Sequence, residues 1–325
     1  DSYNTAVGFN SGGAVTTGQY NTLLGGEAGD ALTTGNSNVA IGYFALSAED
    51  AHGLNVAVGS RALANQNAGA NGYNVAVGPD AGLSVTTGVQ NTLLGGLAGD
   101  ALTAAGFNVA IGYGALGADT LGSKSVAVGH NNLRSQNFTT ATNSFNTAIG
   151  HGAGLDVTTG IQNTLIGGLA GDALTDADFN VAVGHATLSS DTLGTQSTAL
   201  GYSALASQNF TTATESHNTA VGYIAGNGVT TGTLTTLIGS LAGYRLTTGN
   251  LNTAVGYAAL SAETKGDRSV AIGVNALTNQ NNTTNTDAYN VAVGLAAGSS
   301  VSTGVRNTLI GSLAGEAVST GFENV

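Results

Sequence analysis

A five-residue core, (Asn/Ser/Thr)-(Thr/Val)-(Ala/Leu)-(Val/Ile/Leu)-Gly, recurs along the whole chain. It starts at Asn4, Asn21, Asn38, Asn55, Asn74, Asn91, Asn108, Ser125, Asn146, Asn163, Asn180, Ser197, Asn218, Thr235, Asn252, Ser269, Asn290, Asn307 and Asn324, the last cut off after Val325. Successive starts lie 17, 17 and 17 residues apart, followed by a longer step of 19 residues the first time and 21 thereafter. Coils therefore group in fours, with cycles at 4–73, 74–145, 146–217 and 218–289 and a partial one at 290–325. A unit this short cannot bury both of its faces, so it must stack on its neighbours. That requirement, more than length, decides the fold.

Each core position carries its own constraint. The second is always Thr or Val and the fourth Val, Ile or Leu, so a two-residue alternation of β-branched and aliphatic side chains predicts a short strand with that face buried. The third is Ala except for Leu23, Leu93, Leu165, Leu237 and Leu309; pointing the other way, this small row is expected to let something approach closely. Gly ends every complete core, from Gly8, Gly25 and Gly42 to Gly311, which predicts a corner with positive φ or no room for a Cβ. The single proline, Pro79, follows such a glycine and so sits at a corner. An apolar pair such as Ala45-Leu46 then predicts a second strand, and Thr-Gly segments such as Thr16-Thr17-Gly18 predict a turn. Parallel stacking at about 4.7–4.9 Å places like residues over like. The Asn column (Asn4, Asn21, Asn38, Asn74, Asn91, Asn108, Asn146) reads as an amide ladder, with a solvent-exposed turn residue as the alternative.

Composition removes several classes of function. There is no Cys, Met or Trp, so disulfides and thiol chemistry are excluded. Seven basic against 19 acidic residues, a net charge of −12, argues against nucleic-acid binding. No apolar run is long enough to cross a membrane, and Asp1-Ser2-Tyr3-Asn4 does not read as a signal segment. With 51 Gly but no Gly-X-Y period, the chain is not a collagen. It is expected to be one continuous β-solenoid over residues 1–325, an interior part of a longer protein that is anchored or exported by segments elsewhere.

The run Asn-Val-Ala-Ile-Gly-Tyr at 38–43 and 108–113 resembles the head repeats of trimeric autotransporter adhesins of the YadA type, and also the repeats of bacteriophage tail fibres. The resemblance covers nearly the whole chain, although the 17-residue coil is longer than the adhesins' repeat. It implies a left-handed parallel β-roll, three chains packed side by side, and display at a cell or virion surface. The Ala row is read as independent support for the trimer, as the face on which neighbouring sheets would meet. The expected fold class is thus all-β, a parallel β-solenoid of about 18 coils in four-coil superrepeats, forming a homotrimer.

The fourth coil of each cycle carries extra residues after a Gln-Asn pair, as at Gln66-Asn67, Gln136-Asn137, Gln208-Asn209 and Gln280-Asn281. These loops are expected to bulge outward, roughly 19 Å apart along the stack. Gln136, Asn137, Phe138, Gln208, Asn209, Phe210, Gln280 and Asn281 are then either a multivalent contact surface for glycan or receptor, or contacts locking register with a neighbouring chain through Phe138 and Phe210. Asn137 and Asn209 also match an N-glycosylation acceptor pattern, which arises easily in so Asn- and Thr-rich a chain. His130, His151 and His185 follow the corner Gly, where Tyr stands in other coils; they read as flat side chains covering a corner rather than metal ligands. Asp30, Asp100 and Asp172 read as turn residues.

No residues suggest catalysis, a cofactor or a metal. The leading expectation is an extracellular structural or adhesive fibre segment, a tail fibre or a cell-surface adhesin, whose partners are copies of itself and, in an adhesive role, a surface glycan or receptor. An ice-binding solenoid, a self-polymerising filament and a polysaccharide-cleaving spike are the alternatives.

Overall fold

Each coil contributes a three-residue strand at core positions two to four, and short parallel pairs add Gly122–Ser123 with Thr142–Asn143, Gly194–Thr195 with Thr214–Glu215 and Gly266–Asp267 with Thr286–Asp287. In this computed structural model, which describes residues 2–325, the chain divides into two compact units, one ending at Gln162 and the other spanning Asn163–Val325. The first contains the strands Thr5–Val7, Thr22–Leu24, Val39–Ile41, Val56–Val58, Val75–Val77, Thr92–Leu94, Val109–Ile111, Val126–Val128 and Thr147–Ile149. The second contains Thr164–Ile166, Val181–Val183, Thr198–Leu200, Thr219–Val221, Thr236–Ile238, Thr253–Val255, Val270–Ile272, Val291–Val293 and Thr308–Ile310. Within each unit the strands pair in parallel with like positions opposed, as Ala40 with Ala57 or Leu237 with Ala254. Eighteen coils about 17 residues apart, with no helix among the described residues, make this a parallel β-solenoid.

The corner glycines explain why only Gly closes the core. Gly42 has φ +134°, and a Cβ placed there would lie 2.4 Å from the carbonyl oxygen of Gly59 in the next coil. Both the dihedral and the contact forbid a side chain.

The faces of the strand are the reverse of the sequence expectation. Core position three is the sealed one: Leu23, Ala40, Ala57, Ala76 and Leu93 are buried, as are Ala182, Ala199 and Leu237. Positions two and four are half-buried or exposed, with Leu24 44% and Leu200 43% accessible. Position one explains why. Its Asn lies on the same side as position three and is buried from Asn21 to Asn307, because its side chain serves the backbone inside the coil. Asn21 Oδ1 accepts the Asn38 N–H of the next coil at 2.9 Å, and Asn21 Nδ2 donates to the Gly35 carbonyl of its own coil at 2.8 Å. The same pair of bonds recurs at Asn91, Asn108 and Asn180. An interior already holding an amide has space for Ala but not for branched side chains. The Ala row therefore packs within each chain and offers no surface to a neighbour, which removes the support for a trimer read from it.

The segment after the corner is not a second strand. Phe44 (φ +55°) and Leu46 (φ +52°) are left-handed, which breaks extended geometry. The segment is still laced to its neighbours, with Phe44 N–H donating to Gly26 O and Leu46 N–H to Ala62 O. Its buried side chains fill the interior by complementation with position three. In the third and fourth coils of a cycle, which have Ala at position three, the ninth residue is a buried Leu, such as Leu46, Leu63, Leu116 or Leu205. Where Leu93 occupies position three, the ninth residues around it are Gly82 and Gly99, whose added Cβ atoms would meet Leu93 Cδ1 at 2.7 Å and Cδ2 at 2.8 Å. Leu23 stands in the same relation to Gly12 and Gly29, and Leu237 to Gly226 and Gly243.

Candidate interaction face

In the predicted contact loops the Gln and Phe side chains turn inward, while the residues after them, such as Thr139, Thr140, Ala141, Thr211, Thr212 and Ala213, stay exposed. Gln136, Gln208 and Gln280 are fully buried and Phe138 and Phe210 nearly so, all against their own chain, whereas Asn137 and Asn209 are exposed and Asn281 half-buried. The cause is a buried carboxylate in the preceding coil, at the place where apolar coils carry Val85 or Leu102. Asp119 Oδ1 accepts the Gly122 and Phe138 N–H groups at 3.0 and 3.2 Å, and its Oδ2 accepts Gln136 Nε2 at 2.6 Å. Gln136 Nε2 also donates to Ser125 Oγ, and its Oε1 receives Asn146 Nδ2 at 2.9 Å. Asp191 with Gln208, and Glu263 with Gln280, repeat the arrangement. In the first cycle Glu49 binds His52 instead, through the His52 N–H at 3.0 Å and Nδ1 at 3.2 Å. Burial raises the Asp119 pKa, opposed by the donors from Gln136, Phe138, Gly122 and Thr120. An unneutralised carboxylate inside the coil needs donors from the next coil, so the loop must fold over it. Sequence reading missed these acids; the signal was an Asp or Glu eleven residues after each third-coil Asn, at Glu49, Asp119, Asp191 and Glu263.

What remains outside is the other face of the strands. Val7, Leu24, Val77, Ile149, Leu200, Ile238 and Ile272 are exposed at position four. The residue after the corner Gly adds a column of rings. In the first unit Tyr113, His130 and His151 stack at centroid distances of 5.7 and 5.2 Å, and in the second His185, Tyr202 and Tyr223 stack at 5.5 Å each. The residue before each Asn adds a further column, including Tyr3 stacked on Tyr20 at 5.3 Å and exposed Phe107, Phe145 and Phe179. Positions two and four carry no charge in any coil. The histidines thus lie in an aromatic column at the margin of an aliphatic sheet.

The Thr turns are committed to stacking. Thr33 Oγ1 donates to Asp50 O at 2.8 Å, Thr103 to Thr120 O at 3.0 Å and Thr175 to Thr192 O at 3.0 Å. Asp30, Asp100 and Asp172 lie half-buried in the turn after the corner. Burial raises the Asp100 pKa, its largest influence, with Asp80 raising it further and a backbone hydrogen bond and Arg134 opposing. Searches against protein-family models, curated proteins and solved structures find no match to this chain.

Proposed function

We propose that this chain is a structural and adhesive fibre segment whose copies associate side by side as a homotrimer, displayed outside the cell or on a virion, and that it performs no catalysis. One observation carries the reading. Parallel sheets are ordinarily covered on both faces, yet here each unit buries one face in its own interior and leaves the other, an aliphatic row at position four beside a mixed Thr and Val row at position two, half-buried or exposed and edged by rings. Uncovered apolar surface of this extent favours a partner. A second copy is the natural one: it presents the same column of residues at the same rise, and the uncharged positions two and four spare two chains of charge −12 from direct repulsion. Three copies, left-handed coils and surface display are what the resemblance to YadA-type heads and tail fibres contributes. The four-coil cycle would then repeat the same inter-chain contacts at each cycle.

Sedimentation equilibrium tests this. The protein is expected to sediment as a trimer at micromolar concentration, and Val77→Lys with Ile111→Lys, two outward side chains at position four, is expected to shift it toward monomer with its far-UV circular dichroism unchanged. A monomeric wild-type protein would defeat the proposal.

A further inference from the structure

The first cycle departs from the later ones around its buried acid. Glu49 is as deeply buried as Asp119, Asp191 and Glu263, but its surroundings differ. Where the later cycles have Thr120, Thr192 and Thr264 directly after the acid, the first has Asp50. Where they have Gly122, Gly194 and Gly266 three residues after it, the first has His52. A side chain has no room there in the second and third cycles: a Cβ at Gly122 would lie 2.1 Å from Asp119 Oδ2 and 2.7 Å from Phe138 Cδ2, and one at Gly194 would meet Asp191 and Phe210 in the same way. The first cycle holds Ala68 in the place of Phe138 and Phe210, which makes space for an imidazole beside the carboxylate. The donors change as well. Asp119 Oδ2, Asp191 Oδ2 and Glu263 Oε2 each accept the side-chain amide of the Gln in the following coil. Their counterpart Gln66 donates instead to Asn55 Oδ1 at 3.0 Å, the Asn standing where the later cycles have Ser125, Ser197 and Ser269. The hydrogen bonds that Glu49 makes, with the His52 N–H and with His52 Nδ1, fall on Oε1, and the buried Oε2 is left without a partner among the described residues.

We propose that Glu49, Asp50 and His52 bind a zinc ion. One carboxylate oxygen from each acid and a ring nitrogen of His52 lie within 4.8 Å of one another. His52 Nδ1 and Glu49 Oε1 are 3.2 Å apart. Two ligands at about 2.0–2.1 Å from a tetrahedral zinc stand roughly 3.3–3.4 Å apart, so an ion fits between them with little movement. Asp50 is exposed, and rotation of its side chain completes a set of three protein ligands, with the fourth position left to solvent. The unpartnered Glu49 oxygen is what selects a cation. Charge taken out of water requires an opposite charge or hydrogen-bond donors, and the coil supplies the Gln donor in each later cycle but not here. The imidazole nitrogen favours zinc over calcium or magnesium, which take oxygen ligands. The site lies on a single chain and does not depend on association between copies.

Titration of the full chain with zinc chloride at pH 7.5, after removal of metal on a chelating resin and with a chromophoric zinc chelator as competitor, tests this. The wild type is expected to bind one more zinc ion than His52→Gly, with a Kd of about 1–10 µM. Asp50→Thr is expected to weaken that binding by about tenfold or more. Each variant installs the residue that the later cycles hold at the same place. Zinc is also expected to raise the thermal unfolding midpoint of the wild type but not of His52→Gly, and a large excess of magnesium to leave zinc binding unchanged. Zinc isotherms that coincide in the wild type and His52→Gly overturn the site, because His130, His151, His185 and His217 would then account for all of the binding. Absence of zinc binding at micromolar concentration overturns it equally. Should His52→Gly fail to fold, Asp50→Thr, which alters an exposed group, decides: unchanged affinity in that variant overturns the proposal. Displacement of zinc by equimolar calcium overturns the assignment to a nitrogen-ligated metal in favour of an oxygen-ligated one.

Discussion

At the scale of single residues, the most demanding positions are those where the backbone leaves no alternative. Gly42→Ala forces a Cβ into the Gly59 carbonyl, 2.4 Å away, at a φ of +134° that side chains do not adopt. The substitution is expected to cost about 3 kcal/mol, read as a fall in the thermal unfolding midpoint, whereas Ala at the open Gly69 should cost little. Asp119 makes a different kind of prediction. Its folded pKa is raised, chiefly by burial, so the folded state binds its proton more readily than the unfolded chain does. The stability this contributes is full below the unfolded value of about 3.9 and is lost as pH rises through the higher folded value. Asp119→Asn removes that titration, so denaturation midpoints measured from pH 4 to 7 are expected to vary less in the variant than in the wild type; an unchanged pH profile contradicts the assignment. The corner glycines were legible in the sequence because a lone Gly at a fixed place in every coil points to a backbone that tolerates no Cβ. Asp119 was not, because an acid every fourth coil looks like a turn residue until Gln136, seventeen residues later, is seen to fold over it.

At the scale of the coil, period and strand position could be read but the inward face could not. Alternation fixes which residues share a side, and size alone chose the wrong one: Thr/Val and Val/Ile/Leu are bulkier than Ala, so they looked like the core. The deciding residue stands at position one. An Asn that must satisfy the backbone groups of two coils has to point inward, and Ala two residues on points the same way. The size complementation between positions three and nine gives this a thermodynamic test. Leu93→Ala alone opens a cavity and is expected to cost about 2–5 kcal/mol. Gly99→Ala alone drives a Cβ into Leu93 Cδ2 at 2.8 Å and Leu102 Cδ1 at 2.7 Å, which is also destabilising. Together the two changes relieve the first of these contacts, because the new methyl enters space that the shortened side chain vacates. The double variant should therefore be more stable than the sum of the singles by about 1 kcal/mol or more. Urea denaturation of the four proteins measures the coupling, and strict additivity would show that the two positions do not share one space.

At the scale of the whole molecule, a stack of coils has no long-range core; each coil's stability comes from itself and its two neighbours. Shortening such a chain should be tolerated only where the cut leaves every remaining neighbour pair matched. Removing residues 74–145 joins Tyr73 to Asn146, so a fourth coil still meets a first coil, and each Leu at position three keeps its facing glycines. Removing only 91–107 deletes Leu93 and sets Gly82 against the coil of Ala110, where no side chain fills the space that Leu93 Cδ1 occupied. The first deletion is expected to unfold with a midpoint close to that of the parent protein. The second should lose about 2–5 kcal/mol, the cost of an unfilled Leu-sized cavity, and its hydrogen exchange should quicken at coils next to the junction while distant coils keep their protection. If both deletions behaved alike, coil would stack on coil without regard to position in the four-coil order, and Gly82 and Gly99 would not be there to make room for Leu93.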